Sequence, residues 1–244
     1  MPPPRARKPV GIALVDKPAG PSSFALVAAL RRRTGARTGH AGTLDPFATG
    51  LLVLLSGAAT RLAPCFVGLD KRYVTDIDLT AITSTGDPEG AVLERHEPPT
   101  RSELDAMLDR LRGEIELPVP AASAVKIDGE RAYRLARRGV DVEMPVRRSI
   151  VHSLEVVAYA TMSVRIALHV SSGTYVRSIA RAAGGHCTTL RRTAVGPFVV
   201  AEARPVDDAT LLPVADALSR LPAEALERVA SADREKVLAL EAPA

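Results

Sequence analysis

Gly39-His40-Ala41-Gly42-Thr43-Leu44-Asp45-Pro46-Phe47-Ala48-Thr49-Gly50 holds three glycines and a proline and follows neither the period of a helix nor that of a strand. Glycines at 39 and 42 allow backbone conformations and close approaches that other residues resist. Pro46 restricts Asp45 to extended geometry and stiffens its surroundings. The stretch from Arg37 to Gly50 therefore reads as an ordered loop carrying a carboxylate and a histidine. Such a loop can build a reactive site, although Asp-Pro is also a common turn dipeptide and His40 could simply be satisfied by backbone.

The flanks of this loop set the fold class. Val10 to Asp16 reads as a short buried strand ended by Lys17-Pro18-Ala19-Gly20-Pro21. Ser22 or Ser23 can cap a helix whose apolar positions Phe24, Val27 and Leu30 lie three apart, with Arg31 to Arg33 in its last turn and Gly35 beyond. Downstream, Leu51 to Leu55 is a strand or a buried helical turn, and Ala58 to Phe66 reads as helix. Lys71 to Ile82 alternates as a half-buried strand does, with Tyr73, Thr75, Ile77 and Leu79 on one face, before the turn Asp87-Pro88-Glu89-Gly90. Thr100 and Glu103 have capping-box spacing and start a helix ending near Gly113. After the proline-broken stretch Pro118 to Pro120 come a short strand at Ala124 to Ile127 and a basic helix from Glu130 to Arg138, ended by Gly139. Long strands are expected at Arg147 to Ala160 and Ser163 to Ser171, then a helix from Thr174 to Ala183. Strands and helices without regular βαβ spacing predict an α+β fold with a mixed, largely antiparallel sheet. The division expected is a catalytic domain over 1–205 and a short acidic tail of small helices over 206–244.

Charge supports that division. The 244 residues carry a formal charge of +4, with 32 basic and 28 acidic side chains. From Val206 onward eight are acidic and four basic, so the remainder holds 28 basic and 20 acidic residues. A basic body suits a polyanionic partner, because neutralising phosphates releases counterions, and equally suits a solvated arginine-rich surface. Two distant cysteines, Cys65 and Cys187, suggest neither a disulfide framework nor a zinc site. No apolar run reaches spanning length, so no membrane is expected and the cytoplasm is the expected location. Phosphate-loop, dinucleotide, zinc-protease and serine-elbow signatures are absent, which disfavours those chemistries.

Other candidates have two readings each. Arg177 falls in the first turn of a predicted helix, where the dipole disfavours a cation; it is either solvated or holds a carboxylate in bidentate geometry. Lys17-Pro18 could bind phosphate or end a strand. Tyr73 could stack on a base or face the core. Arg131, Arg134, Arg137, Arg138, Arg147 and Arg148 could clasp RNA backbone or form a solvated face.

In their order along the chain these segments resemble the bacterial tRNA pseudouridine-55 synthases, the TruB family. The matching stretches are Gly11 to Ser23, Gly39 to Gly50, Lys71-Arg72-Tyr73, Ser123 to Gly129, Ala132 to Gly139 and Gly173 to Ala180. The resemblance implies a pseudouridine synthase fold with an RNA-binding thumb at about 120–148. It implies that Asp45 is the catalytic aspartate, Arg177 the arginine paired with it and Tyr73 the tyrosine stacked on the target base. His40, Lys17, Pro18, Gly42, Tyr175, Lys126, Arg134 and Arg138 are implied in substrate or RNA binding, with Lys17 and Pro18 supporting the site. The implied partner is tRNA through its TΨC stem-loop, the implied reaction needs no metal or organic cofactor, and a monomer is expected. Ser84, Ala122 and Ala182 depart from the family pattern. Family members usually continue into a small β-rich C-terminal domain, so weaker RNA affinity is expected of a chain with a short tail. A non-catalytic tRNA-binding or folding factor on the same scaffold is the alternative.

Overall fold

The computed structural model describes residues 8–138, 140 and 142–241. In chain order the elements are β1 (Gly11–Lys17), α1 (Ser23–Thr34), β2 (Thr38–His40), β3 (Thr49–Ser56), α2 (Ala63–Val67), β4 (Lys71–Asp78), β5 (Ala81–Thr83), β6 (Val92–Arg95), α3 (Arg101–Asp109) and β7 (Gly113–Pro118). There follow β8 (Lys126–Ile127), β9 (Glu130–Arg131), α4 (Ala132–Arg137), β10 (Val146–Ala160), β11 (Ser163–Val170), α5 (Val176–Ala182), β12 (His186–Val195), β13 (Phe198–Val199), α6 (Val214–Ser219), α7 (Ala223–Leu226) and α8 (Ser231–Glu241). The architecture is α+β, with strand pairs that are antiparallel except where β12 joins β3. The chain folds as two compact units, residues 1–71 with 191–244 and residues 72–190. It leaves the first unit within β4 and re-enters it within β12.

In the first unit β3 is central. It pairs antiparallel with β1 from Gly11↔Ser56 to Lys17↔Gly50, antiparallel with β2 at His40↔Leu54, and parallel with β12 at Arg191↔Thr49 and Arg192↔Gly50. Both faces of this layer are covered. Ile12, Leu51, Val53 and Leu55 meet Val214, Ala217, Leu218 and Val237 from the C-terminal helices. Ala13, Val15, Leu52 and Leu54 meet Leu26, Val27 and Leu30 of α1. Covering on both faces is why Leu51 to Leu55 is apolar at every position and carries no alternation that would mark it as a strand. Residues after 205 are thus part of this core and form three helices, where the sequence suggests a separate tail.

Three local differences from the sequence expectations have physical causes. In α1, Ser23 and not Phe24 lies inward, because its hydroxyl both donates to the Leu44 carbonyl (2.9 Å) and accepts from the Leu44 amide (2.8 Å), while Phe24 is 73% exposed. The expected loop from 37 contains the strand β2, and the expected helix from Ala58 is a 3-10 segment over Gly57–Leu62 followed by α2. Strands β7 and β12 have no sequence expectation: Pro118 ends β7, and β12 alternates buried and open positions with arginines among them.

In the second unit the strand order is β4-β11-β10-β7. The expected alternation of β4 holds, with Tyr73, Thr75 and Ile77 buried between more open neighbours. The capping box forms as expected, Thr100 and Glu103 each bonding the other's backbone, and α3 buries Leu104 and Leu108. The short strand expected near Ala124 is half of a β8–β9 hairpin. Its turn, Asp128-Gly129, has positive φ at both positions (49° and 86°), the geometry for which Asp-Gly is selected. Gly139, expected to end α4, lies outside the described residues.

Candidate active site

The Asp45 loop belongs to the first unit and is held from three directions. Ser23, from the start of α1, fixes Leu44 through the two bonds above. Lys17, at the end of β1, is fully buried and its ammonium donates to the carbonyls of Ala48 (2.6 Å), Pro46 (2.9 Å) and Pro18 (3.0 Å). The Gly20 amide adds a bond to the Pro46 carbonyl at 2.9 Å. On the third side lies Arg192 of β12, 1% exposed, donating to the carbonyls of Leu51 (2.7 Å), Gly42 (3.0 Å) and Thr43 (3.4 Å). Two glycines permit this arrangement. Gly50 has φ +100° and a Cβ there would lie 2.3 Å from the Arg192 carbonyl oxygen; Gly42 has φ +117°. Within this scaffold Asp45 is half-buried, and its own carbonyl closes a turn with the Ala48 amide at 3.2 Å.

His40, on β2, is half-buried, and its Nδ1 is shielded from solvent with no hydrogen-bond partner. Burial, and after it the positive charge of Arg192, hold its pKa below the usual histidine value. The ring therefore stays neutral at neutral pH. In the same unit Lys71 is also buried, donating to the carbonyls of Val67 (2.6 Å) and Leu69 (2.5 Å), and burial brings its pKa down to about 7.

The second unit builds its own buried charge. Arg177 emerges from the first turn of α5, 3% exposed, and donates to the carbonyls of Thr85 (2.6 Å) and Ala122 (2.9 Å). Asp87 lies 3.4 Å from the same guanidinium and is itself 4% exposed. The Thr85 hydroxyl (2.5 Å) and the Glu89 amide (3.0 Å) donate to the Asp87 carboxylate. The turn Asp87-Pro88-Glu89-Gly90 thus wraps a buried arginine, which sequence reasoning does not show: an acid beside Pro and Gly reads as turn chemistry. Tyr73, on β4, is 8% exposed. Tyr175 is the residue preceding α5 and half-buried.

A family model described as TruB family pseudouridylate synthase (N terminal domain) matches residues 31–176. The chain is 44% identical over 215 residues to tRNA pseudouridine synthase B of Corynebacterium jeikeium (strain K411), covering 81% of this chain and 70% of that protein. It belongs to the TruB family. Similarity at 42% over 230 residues extends to tRNA pseudouridine synthase B of Thermobifida fusca (strain YX), over 86% of this chain and 78% of the relative. Among solved structures, a Cbf5-Nop10-Gar1 complex matches with TM-score 0.60 and 27% identity over 78% of this chain and 50% of the matched one. An H/ACA RNP bound to a substrate RNA containing 2'-deoxyuridine matches with TM-score 0.57 and 25% identity over 78% and 48%. The chain spans about half the length of those two matched chains.

Against this family background the remaining expected residues sort by exposure. Lys17, proposed from sequence for RNA or phosphate, is enclosed and bonded to carbonyls, so of its two roles it fills the supporting one. Pro18 beside it is exposed. Lys126, Arg134 and Arg138 are exposed in the β8–α4 region, with Arg138 paired to Glu130 at 2.8 Å and Arg134 5.9 Å from the Tyr133 ring. Arg147 packs against Gly173, where a Cβ would come within 2.5 Å of its guanidinium. Sequence reasoning missed Asp87 and Arg192; the only sequence signal for Arg192 was a pair of arginines in an alternating strand.

Proposed function

We propose that this TruB-family chain isomerises the uridine at position 55 in the TΨC loop of tRNA to pseudouridine, acting as a cytoplasmic monomer. The observation that carries the reading is the Asp45 loop: a half-buried carboxylate on backbone immobilised by Ser23, Lys17 and Arg192. A loop fixed before substrate arrives holds the carboxylate oxygen in one orientation without reorganisation. The reaction detaches uracil from ribose, turns it and rejoins it through carbon 5, so the nucleotide must leave its stack.

In this reading Asp45 acts on the sugar or the base, and Arg177 is the guanidinium that the family resemblance pairs with it. Tyr73 stacks on the flipped ring. His40 supplies a neutral imidazole to the opened loop, and Gly42 and Tyr175 line the bound nucleotides. The thumb at about 120–148 offers Lys126, Arg134 and Arg138 to phosphates. Tritium release from tRNA labelled at uracil carbon 5 tests the assignment. Asp45→Asn abolishes release while tRNA binding persists; normal turnover by that variant sinks it.

A further inference from the structure

Arg192 is a permanently charged side chain that is 1% exposed, and among the described residues no carboxylate lies within ion-pair distance of it. Its neighbour Arg191 does find one, Asp16 at 2.8 Å, on the more open side of the same strand. Burying an arginine without a counterion is costly unless its donors are fully directed. Here they are directed at one segment: Nε to the Leu51 carbonyl, one terminal nitrogen to Gly42 and the other toward Thr43. These carbonyls bracket Asp45 on both sides. The backbone of Arg192 is fixed in turn by its parallel pairing with Gly50, where nothing larger than glycine fits.

We propose that Arg192 is a positioning residue for the pseudouridine-forming step: its buried guanidinium clamps the Gly42–Leu51 segment from beneath and so fixes the carboxylate of Asp45. This rests on the reading of Asp45 given above. A planar fork reaches three carbonyls in fixed directions, which the single ammonium point of lysine does not reproduce. Displacements of about 1 Å in a reacting group cost on the order of 100-fold in rate. The guanidinium itself is enclosed and offers RNA no group to bind, so its loss acts on turnover far more than on binding.

The test compares wild type, Arg192→Lys and Arg192→Met in single-turnover tritium release at saturating tRNA, with tRNA affinity measured in parallel. Turnover falls at least ~10-fold in Arg192→Lys and ~100-fold in Arg192→Met, while affinity changes less than ~3-fold. In Arg192→Met the His40 ring titrates at higher pH by NMR, because the nearby cation is gone. Wild-type turnover in a folded Arg192→Lys overturns the inference, as does a loss confined to affinity. A measurement on wild type covers variants that do not fold: the Arg192 Nε–H is protected from solvent exchange, and exchange at the rate of exposed arginines overturns the clamp. Asp45→Asn in the same assay separates the two claims. If it is active, the reading of Asp45 fails; if it is inactive while Arg192→Lys matches wild type, only the clamp fails.

Discussion

Among the described residues each unit buries one arginine almost completely, and the two are compensated differently. Arg192 in the first unit is surrounded by carbonyls of a single loop. Arg177 in the second donates to two carbonyls and has the Asp87 carboxylate at 3.4 Å. Carbonyl dipoles solvate a charge while leaving its field in place, so Arg192 both shapes the loop and lowers the proton affinity of His40. A carboxylate partner instead balances charge, and removing it leaves an uncompensated ion in a closed site. One arginine is built to hold backbone, the other to hold a charge in a set direction.

That contrast can be broken most severely at Arg177. Arg177→Lys is expected to lower turnover by on the order of 100-fold with little loss of tRNA affinity, because one ammonium cannot serve Thr85, Ala122 and a carboxylate together. An affinity loss with unchanged single-turnover rate would remove Arg177 from the chemistry. Asp87→Asn sharpens the comparison. It keeps the acceptor oxygen for Thr85 and Glu89 but removes the negative charge that Asp87 sets beside the buried Arg177, so stability falls by about 3 kcal/mol in urea melts and turnover by about 10-fold. If Asp87→Asn is as stable as wild type, the Asp87 charge is not what holds Arg177, and the distinction between the two arginines fails.

The smallest effect is a pH dependence at Lys71, another of the buried cations. Its pKa is about 7 in the folded protein against an ordinary 10.5. Between those values the unfolded chain binds a proton that the folded chain does not, so stability rises with pH from about 7 toward 10.5. Below about 7 the charge is forced into the interior in full. Lys71→Met lacks this penalty, so its stability relative to wild type is greatest at pH 6 and declines steadily toward pH 9.5 in denaturant titrations. A difference independent of pH would show that Lys71 remains charged throughout.

The sequence was most legible where a signal is local. The capping box at Thr100 and the stiff loop around Asp45 each follow from a few adjacent residues and form as read, and the alternation read over Lys71 to Ile82 holds as far as Asp78, where β4 ends. The β12 strand and the inward turn of Ser23 were not legible, because both answer to partners elsewhere in the chain. Phe24 shows the reason clearly: helical spacing offers it to the core, yet a hydroxyl is needed one residue earlier to satisfy the Leu44 backbone, and that fixes the rotation of the helix. Similarly, Asp87 sits in a turn that local chemistry explains completely, so nothing near it advertises Arg177, 90 residues later.

By itself, then, the sequence determined where the stiff Asp45 loop lies and the family to which the chain belongs, since both reside in short ordered motifs. Which charges are buried, and what they hold, was decided only by the tertiary structure. Arg192 reaches carbonyls 141 to 150 positions away, and Lys17 reaches carbonyls 29 and 31 positions away. Hydrogen bonds to backbone carbonyls leave no mark on the identity of the residues that accept them. A cation that solvates itself on main chain is therefore invisible in sequence, however firmly it fixes the site.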